Sequence, residues 1–314
     1  MRTTHIGSLE VSVIGLGCNN FGRALDAGQS ASVVQAALEV GINHFDTASN
    51  YGEGQSESFL GAALGDRRDE VVIATKVGVA IPGWAGSGGA SPEYIRQVLE
   101  RSLTALGTDH VDVYMIHFPD PKTPTEDTLE VLADLVEEGK AREIGCSNFD
   151  PAQLTEALEV SKANGWPAFV CDQVHYSMVH REPEANGLAD MCVDTGVALL
   201  PYYPLASGLL TGKTRRGAEP QGRLKMDRYQ EFLTEENFDL VEGLERFATD
   251  RGVTMVQVAL GWLLGQKAVP ALTAGATSPE QVVANAAAAE WEPTSNDLAT
   301  LSALLDPSPG PVSS

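Results

Sequence analysis

A tyrosine at a turn of the chain, preceded by a carboxylate, is the feature of this sequence that most clearly indicates chemistry. Asp46 closes a short apolar segment, and Tyr51 follows five residues later and is itself followed by glycine. A free tyrosine has a pKa of about 10, so proton transfer near neutral pH requires help from its surroundings. A lysine held in its charged form by Asp46 could ease the loss of the Tyr51 proton. We therefore expect a lysine from elsewhere in the chain to lie between the two side chains.

Alternating apolar strands and amphipathic helices are the elements that must position such a site. A hairpin is predicted over residues 2–13, and helices are predicted to begin at Ser30, Ser91, Asp150 and Ser278. Eight further segments read as strands: 13–17, a segment closed by 45–46, 71–76, 111–117, 141–146, 169–173, 197–200 and 268–272. Eight strands alternating with helices in a single domain, residues 1–314, predict a (β/α)8 TIM barrel with an N-terminal β-hairpin.

A doubly wound open sheet is the alternative architecture for this pattern. Its dinucleotide-binding form carries Gly-x-Gly-x-x-Gly between a strand and a helix. The glycine pair Gly15 and Gly17 is followed by Asn20 where the third glycine should stand. We therefore favour the barrel, and we expect residues 83–89 and 307–314 to be loose.

Polar side chains stand at the ends of the predicted strands. In a (β/α)8 barrel the carboxyl ends of all strands meet at one rim, where active sites form. Each residue alone has an ordinary explanation as a turn former, a solvated charge or a packed core residue. Their shared position predicts one site, made of Asp46, Tyr51, Lys76, His117, Ser147, Asn148, Gln173 and Tyr202.

The composition limits the classes of partner. The formal net charge is -22 at pH 7, which argues against nucleic acid or an anionic membrane as a partner. The four cysteines form no Cys-x-x-Cys pair, and His175 and His180 lack a partner at metal-ligand spacing, so we infer no metal site. Since there is no signal peptide and no apolar run of spanning length, a cytoplasmic location is the expectation.

Seven segments of the chain resemble motifs of the aldo-keto reductase family, in the family's order and over nearly the whole length. They are 45–52 for the tyrosine motif, 74–76 for the lysine strand, 116–120 for the histidine strand, 145–149 and 172–176 beside the nicotinamide, 202–213 for the cofactor loop and 275–285 beside the adenine. The resemblance implies hydride transfer between a bound nicotinamide and a small carbonyl or alcohol substrate, such as an aldehyde, a ketone or a sugar.

The resemblance also implies a role for each of four residues in this transfer. Tyr51 would be the general acid/base that exchanges a proton with the substrate oxygen. Lys76 would be hydrogen-bonded to Tyr51 and paired with Asp46, and it would lower the pKa of the tyrosine. His117 would orient the carbonyl group.

Other residues would hold the cofactor and shape the pocket. The implied cofactor contacts are Ser147, Asn148 and Gln173 to the carboxamide, Tyr202 against the nicotinamide ring, and Leu205, Ser207, Gly208, Leu209, Lys213, Arg223, Gly275, Thr277, Gln281 and Asn285 elsewhere. Phe21, Trp84 and Phe118 are expected in the substrate pocket. NADP(H) is the usual cofactor of the family, but residues 273–285 contain no basic residue, so NAD(H) stays open.

A basic patch, residues 213–228, contrasts with the acidity of the chain because it has six basic and two acidic residues. One interpretation is that it folds over the cofactor and supplies the charge that the phosphates need. The other is that it is an ordinary solvated segment of the surface.

Two other functions would use the same residues. An NAD-dependent aldose or alcohol dehydrogenase would run the transfer in the opposite direction. A regulatory subunit, as with the reductase-like β subunits of potassium channels, would keep the cofactor with vestigial turnover. The complete set of Asp46, Tyr51, Lys76 and His117 favours an enzyme, and the sequence carries no indication of oligomeric state.

Overall fold

The structure, a computed structural model, describes residues 1–84, 86 and 88–306. The strands are β1 (Thr3–Ile6), β2 (Leu9–Ser12), β3 (Ile14–Gly17), β4 (His44–Asp46), β5 (Val72–Val77), β6 (Val111–Ile116), β7 (Ala141–Ser147), β8 (Cys171–His175), β9 (Ala198–Tyr202) and β10 (Leu272–Gly275). The α-helices are α1 (Ala27–Glu39), α2 (Ser56–Leu64), α3 (Pro92–Leu106), α4 (Thr125–Glu137), α5 (Pro151–Asn164), α6 (Glu182–Ala185), α7 (Leu188–Thr195), α8 (Glu235–Arg251), α9 (Met255–Leu264), α10 (Pro279–Ala286) and α11 (Ser295–Leu305). Shorter 3-10 helices cover Tyr51–Gly54, Gly65–Glu70, Ala206–Thr211, Gly222–Lys225, Asp227–Phe232 and Ala287–Glu290.

Eight parallel strands form the barrel wall in the order β10, β3, β4, β5, β6, β7, β8, β9. The two ends of this sheet approach each other where the Thr273 hydroxyl donates to the Pro201 carbonyl oxygen at 3.5 Å. The predicted (β/α)8 barrel is thus confirmed as a nearly closed barrel with helices around it. A doubly wound sheet would instead reverse its strand order near the middle. The antiparallel pairing of β1 with β2 confirms the predicted hairpin.

The hairpin closes the end of the barrel at which the strands begin. Ile6, Leu9 and Val11 of the hairpin are buried in a cluster with inward-facing barrel residues. The barrel residues of this cluster are Val72, Ala74, Val113, Met115, Cys171, Ala198, Leu200 and Ala271. Full burial of such an aliphatic side chain contributes roughly 1.5–3 kcal/mol, so the hairpin is a firm floor for the site above it.

A second and larger apolar cluster lies between the sheet and the surrounding helices. Helix α3 shows how the sequence produces this layer. Ser91 caps its first turn by accepting the Tyr94 N–H, and Gly107 ends it in the left-handed conformation with φ 68°. Its apolar residues recur at helical spacing and face the core, as their pattern predicts.

Several predicted boundaries differ from the structure. Helix α1 begins at Ala27 and not at Ser30, because Asp26 and Gln29 form a capping box. The eighth barrel strand is β10 and not 268–272, since Pro270 has no N–H to donate to a ladder. The sixth strand is shifted from 169–173 to β8.

Helices α2 and α11 were not predicted from the sequence. In α2 the buried positions include the polar residues Ser56 and Glu57 besides two leucines, so its apolar stripe is too short to detect. The expected looseness of residues 307–314 lies outside the described residues, and that of residues 83–89 lies partly outside them.

Candidate active site

The alternation of side chains along the strands explains why polar residues meet at one end of the barrel. Successive residues point to opposite faces of a strand, so every second residue faces the interior. In β5 the inward series begins with the apolar Val72 and Ala74 and ends with Lys76. The inward series of β9 ends in the same way with Tyr202, and that of β8 continues from the apolar Cys171 to Gln173 and His175. The barrel is therefore apolar at its floor and polar at its rim.

A cavity of about 1160 Å³ opens at this rim. The predicted site residues that line it are Asp46, Tyr51, His117, Phe118, Ser147, Asn148, Gln173, Tyr202, Leu205, Ser207, Gly208, Lys213, Arg223, Gly275, Thr277, Gln281 and Asn285. Lys76 lies beneath the lining and is completely buried. Such a volume slightly exceeds the ~300–1,000 Å³ typical of small-ligand pockets, so it suits a larger ligand of dinucleotide size.

Lys76 forms the centre of the catalytic candidates. Its ammonium group donates to Asp46 Oδ1 at 2.6 Å and to the Thr47 carbonyl oxygen at 2.8 Å. It also lies 5.2 Å from the centre of the Tyr51 ring. A lysine has three N–H donors, so one of them remains for the side of the tyrosine. The three predicted residues are thus together, with Lys76 between Asp46 and Tyr51.

The charge state of Tyr51 differs from the expectation. Burial raises the pKa of Tyr51 above its ordinary value, and the negative charge of Asp46 raises it further, while Arg223 acts in the opposite direction. Burial and Asp46 thus outweigh any lowering of this pKa by Lys76, which directs two donors to Asp46 and Thr47, and the role predicted for Lys76 stays a prediction. Tyr51 is therefore a protonated acid at neutral pH.

His117 faces Tyr51 edge-on, with ring centres 5.8 Å apart. Burial lowers the pKa of His117 to about 3, and the positive charge of Lys76 contributes to the shift. The imidazole is therefore neutral at physiological pH and carries one N–H donor. Within the described part of the chain its buried Nδ1 has no hydrogen-bond partner. This histidine can donate to a carbonyl oxygen held between it and Tyr51.

A network of hydrogen bonds connects the residues at the ends of β7, β8 and β9. The Ser147 hydroxyl donates to the Gln173 carbonyl oxygen at 2.6 Å. The Asn148 amide donates to the His117 carbonyl oxygen at 2.9 Å, and the Tyr202 hydroxyl donates to Asn148 Oδ1 at 2.8 Å. Gln173 Nε2 also donates to Asp46 Oδ1 at 3.1 Å, so this network touches the catalytic candidates directly.

Backbone strain is concentrated beside the cavity. Asn148, Tyr203, Ala206 and Ser207 have φ of 63°, 52°, 48° and 56°, a region that non-glycine residues rarely adopt. Each such residue costs of order 1–3 kcal/mol and persists only where its surroundings fix it. Strain of this kind clusters at binding and catalytic sites, which agrees with the position of these residues.

Comparison with known proteins decides the family of this fold and site. A family model described as "Aldo/keto reductase family" matches residues 13–306. The chain belongs to this family. It is 34% identical over 291 residues to L-glyceraldehyde 3-phosphate reductase of Escherichia coli K12, which covers 88% of this chain and 84% of that protein. Membership and the reductase names of such relatives support an oxidoreductase that acts on carbonyl compounds.

Other relatives of this aldo-keto reductase differ in their described roles. Aflatoxin B1 aldehyde reductase member 2 of Rattus norvegicus is 36% identical over 300 residues, which cover 88% of this chain and 80% of that protein. A probable voltage-gated potassium channel subunit beta of Arabidopsis thaliana is 32% identical over 91% of this chain and 89% of its own length. A crystal structure of the thermostable aldo-keto reductase Tm1743 with the inhibitor epalrestat superimposes with a TM-score of 0.79, at 30% identity, covering 97% of this chain and all of that one.

The basic patch of this reductase divides into two groups. Arg215 pairs with Glu245, and Arg216 contacts three acidic residues of α8. Arg223 instead donates to the side-chain oxygens of Asn19 and Asn20, at 2.8 and 2.6 Å. Among the described residues, no carboxylate lies within ion-pair distance of Arg223 or Lys213, and both line the cavity. The interpretation as pure surface therefore does not hold for the whole patch.

Besides Lys76, three predicted residues lie outside the cavity lining. Phe21 is completely buried beneath the rim, and Leu209 is buried in the apolar core. Trp84 packs against Tyr94, with ring centres 5.9 Å apart. The resemblance had implied Leu209 as a cofactor contact, and sequence position had placed Phe21 and Trp84 near the rim. Neither argument could show which way each side chain points.

Other lining residues were missed, among them Asn19, Asn20, Asn50, Tyr203 and Gln221. The signal for Asn19 and Asn20 was present, because they directly follow β3 in the way that other site residues follow their strands. Tyr203 directly follows Tyr202, which was a predicted contact.

In the described ranges we find neither a cluster of potential metal ligands nor a helix long and apolar enough to cross a membrane.

Proposed function

We propose that this protein transfers a hydride between NADP(H) and an aldehyde, ketone or sugar, with Tyr51 as the general acid/base. The observation that carries the proposal is the arrangement of Tyr51, Lys76, Asp46 and His117 under one cavity of dinucleotide size. Two of the relatives are described as acting on aldehydes, so we propose aldehydes as the first substrates to examine.

The residues of the cavity fit a nicotinamide cofactor. Ser147, Asn148 and Gln173 present side-chain oxygens and amide groups at the rim, and the ring of Tyr202 lies flat against His175 with centres 5.5 Å apart. The buried hydroxyl of Ser207 has no hydrogen-bond partner among the described residues. A buried polar group without a partner is expected where a ligand supplies the hydrogen bond. When bound, a nicotinamide would supply the hydride chemistry.

The side chains of the site orient the substrate and transfer the proton. Neutral His117 donates its N–H to the substrate carbonyl oxygen and fixes its direction. Tyr51, protonated at neutral pH, gives its proton to the same oxygen as negative charge develops there. Lys76, held by Asp46, places a positive charge beneath Tyr51 and favours the tyrosinate that remains. In the oxidation direction Tyr51 must first lose its proton, which its raised pKa opposes.

Replacing the proposed acid tests this mechanism. Tyr51→Phe should bind NADPH normally and lose roughly 10²–10⁴-fold in kcat for aldehyde reduction, since it removes one hydroxyl. Tyr203→Phe is the matched control, because Tyr203 also lines the cavity but its hydroxyl contacts Tyr229. A Tyr51→Phe enzyme that keeps a tenth of wild-type kcat would exclude Tyr51 as the acid.

The cofactor preference rests on Arg223 and Lys213. No basic residue occurs in residues 273–285, so these two cations are the candidates for the phosphates of NADP(H). Arg223→Gln should weaken NADPH more than NADH, whereas Arg215→Gln should change neither, because Arg215 is paired with Glu245. Dissociation constants from fluorescence quenching measure both. Equal changes for the two cofactors would mean that Arg223 contacts a group that they share.

A regulatory subunit is a second candidate, favoured by the 32% identity to the probable channel β subunit. It predicts a tightly retained cofactor and negligible turnover on every aldehyde tested. Steady-state oxidation of added NADPH by an aldehyde panel separates the two functions, because an enzyme exchanges its cofactor and repeats the cycle, whereas a subunit that retains its cofactor stops after at most one turnover.

A further inference from the structure

Two charged residues outside the cavity are linked to the segment that carries Tyr51, residues 49–54: Arg101 contacts this segment, and Glu57 pairs with Arg101. Glu57 lies in the first turn of α2, directly after this segment, and its side chain is completely buried. The Thr75 hydroxyl donates to Glu57 Oε1 at 2.6 Å, and Thr75 is the residue before Lys76. The second carboxylate oxygen lies 3.8 Å from Arg101 Nη1. This Oε2 has no hydrogen-bond partner among the described residues, so the ion pair with Arg101 compensates part of the hydration that the buried carboxylate has lost.

Arg101 reaches the Tyr51 segment from the neighbouring helix α3. Its guanidinium donates to the carbonyl oxygen of Ser49 at 3.4 Å and to that of Gly54 at 3.5 Å. These two carbonyl groups stand on either side of Tyr51. The planar fork of a guanidinium can hold two acceptors at once, which an ammonium group cannot do with the same geometry.

The segment between these carbonyl groups needs external support. Gly52, Glu53 and Gly54 follow one another with φ of 58°, 56° and 89°. A run of left-handed residues is unfavourable for glutamate in particular, and it persists only when its surroundings determine it. The carbonyl oxygen of Phe21 packs against Gly52 on one side, and Arg101 holds the other.

Glu57 also links this support to the catalytic lysine. Thr75 and Lys76 are successive residues of β5, so their side chains point to opposite faces of the strand. Glu57 therefore fixes the outer face of the strand at the place where Lys76 leaves its inner face. Burial raises the pKa of Glu57, while the Thr75 hydroxyl and the charges of Arg101 and Lys76 favour its ionised form.

We propose that Glu57 and Arg101 are positioning residues for Tyr51, which act by fixing the 49–54 segment against β5. This inference rests on the proposed role of Tyr51 as the proton donor. Neither residue lines the cavity, so neither touches the cofactor or the substrate. Their loss displaces the Tyr51 hydroxyl relative to His117 and leaves the cofactor contacts of β7, β8 and β9 in place.

Replacing Arg101 gives the sharpest test. Arg101→Ala should lower kcat for aldehyde reduction by about 10–100-fold, since a misplacement of 1 Å can cost about 10²-fold, with an unchanged NADPH dissociation constant. Added guanidinium ion should restore part of this loss, because it can occupy the vacated site. Arg96→Ala is the matched control: Arg96 lies on the same helix and pairs with Asp134 and Glu138 away from the 49–54 segment.

Two milder variants keep the test decisive if Arg101→Ala does not fold. Arg101→Lys keeps the charge and loses the two-carbonyl contact, so its kcat should also fall. Glu57→Gln keeps the shape and loses the charge, and its effect should not add to that of Arg101→Lys. Normal kcat in folded Arg101→Lys and Glu57→Gln would overturn the inference, as would a loss that guanidinium does not relieve and that follows melting temperature alone.

The Tyr51→Phe enzyme separates this inference from the proposed function. If Tyr51→Phe is as active as wild type, Tyr51 is not the acid, and both the proposed function and the positioning role of Glu57 and Arg101 fail. If Tyr51→Phe is inactive and the Arg101 variants turn over normally, the proposed function stands and the positioning role alone is refuted.

Discussion

Replacing Asp46 by asparagine should lower the pKa of Tyr51, although Asp46 is the partner of the lysine that assists it. The direct field of the carboxylate is the reason. Lys76 Nζ lies 2.6 Å from Asp46 Oδ1 and 5.2 Å from the centre of the Tyr51 ring, so the carboxylate and the ring are at most about 8 Å apart. At ~8 Å and an effective dielectric constant of ~20, a unit charge is worth ~2 kcal/mol, or ~1.5 pKa units.

The amide keeps the other function of Asp46, because its carbonyl oxygen can still accept the Lys76 N–H. The change therefore removes a negative charge near Tyr51 and leaves a hydrogen-bond acceptor. The pH dependence of alcohol oxidation reports the result, since oxidation requires the tyrosinate. At a fixed pH below the pKa of Tyr51, kcat/KM for oxidation should be about 30-fold higher in Asp46→Asn than in wild type, since a pKa lower by ~1.5 units raises the tyrosinate fraction by that factor. Ultraviolet difference titration against Tyr51→Phe measures the same pKa without turnover.

A nearby carboxylate provides the control for this experiment. Glu53 lies two residues after Tyr51 and is exposed, so solvent screens its charge and Glu53→Gln should leave the profile nearly unchanged. An unchanged or raised pKa of Tyr51 in Asp46→Asn would refute the reasoning. It would mean that Asp46 acts by holding Lys76 in place, and that this indirect effect exceeds its own field.

Two further predictions concern stability. Burial raises the pKa of Asp172 to about 7 from its usual 3.8, so the folded protein should lose about 3 kcal/mol of stability as the pH rises from 5 to 8. Asp172→Asn should abolish this loss, which urea unfolding at pH 5 and pH 8 measures, and an unchanged pH dependence in the variant would contradict the assignment. Gly52→Ala would bring a Cβ to 2.1 Å from the Phe21 carbonyl oxygen, so kcat should fall at least about tenfold and unfolding should become easier by about 1–3 kcal/mol. Gly65→Ala, with a similar φ of 50° and open space around it, is the control, and equal effects in both variants would exclude the steric cause.

The sequence was sufficient for the barrel and for the residues at its rim because both depend on short-range patterns. The inward series that ends on Lys76 is visible as alternation, and the helix start at Ser91 is visible as a cap. The site residues follow from the same patterns, since a barrel brings the ends of its strands together. Charge states do not follow, because the raised pKa of Tyr51 depends on burial and on the distance to Asp46.

The contacts that hold the rim in place could not be predicted from the sequence either. Glu57 and Arg101 are 44 positions apart in the chain, and from the sequence alone each would be interpreted as a charged residue on the solvent-exposed face of a helix. Their relation to Tyr51 appears only when α2 and α3 are packed beside β5. Phe21 and Trp84 failed as pocket residues for a related reason, since the direction of a loop side chain depends on contacts that are distant in sequence.

The charge of the rim shows why counting residues in a segment is a poor guide to its function. Residues 213–228 have a net positive charge, but the carboxylates of α8 neutralise Arg215 and Arg216. Arg223 is instead held by two neutral asparagine side chains, so its charge remains available inside the cavity. In a chain of net charge -22, a polyanionic ligand is repelled at long range unless such local cations compensate it. The position of the acidic partners, and not the number of basic residues, therefore decides which cations can bind phosphate.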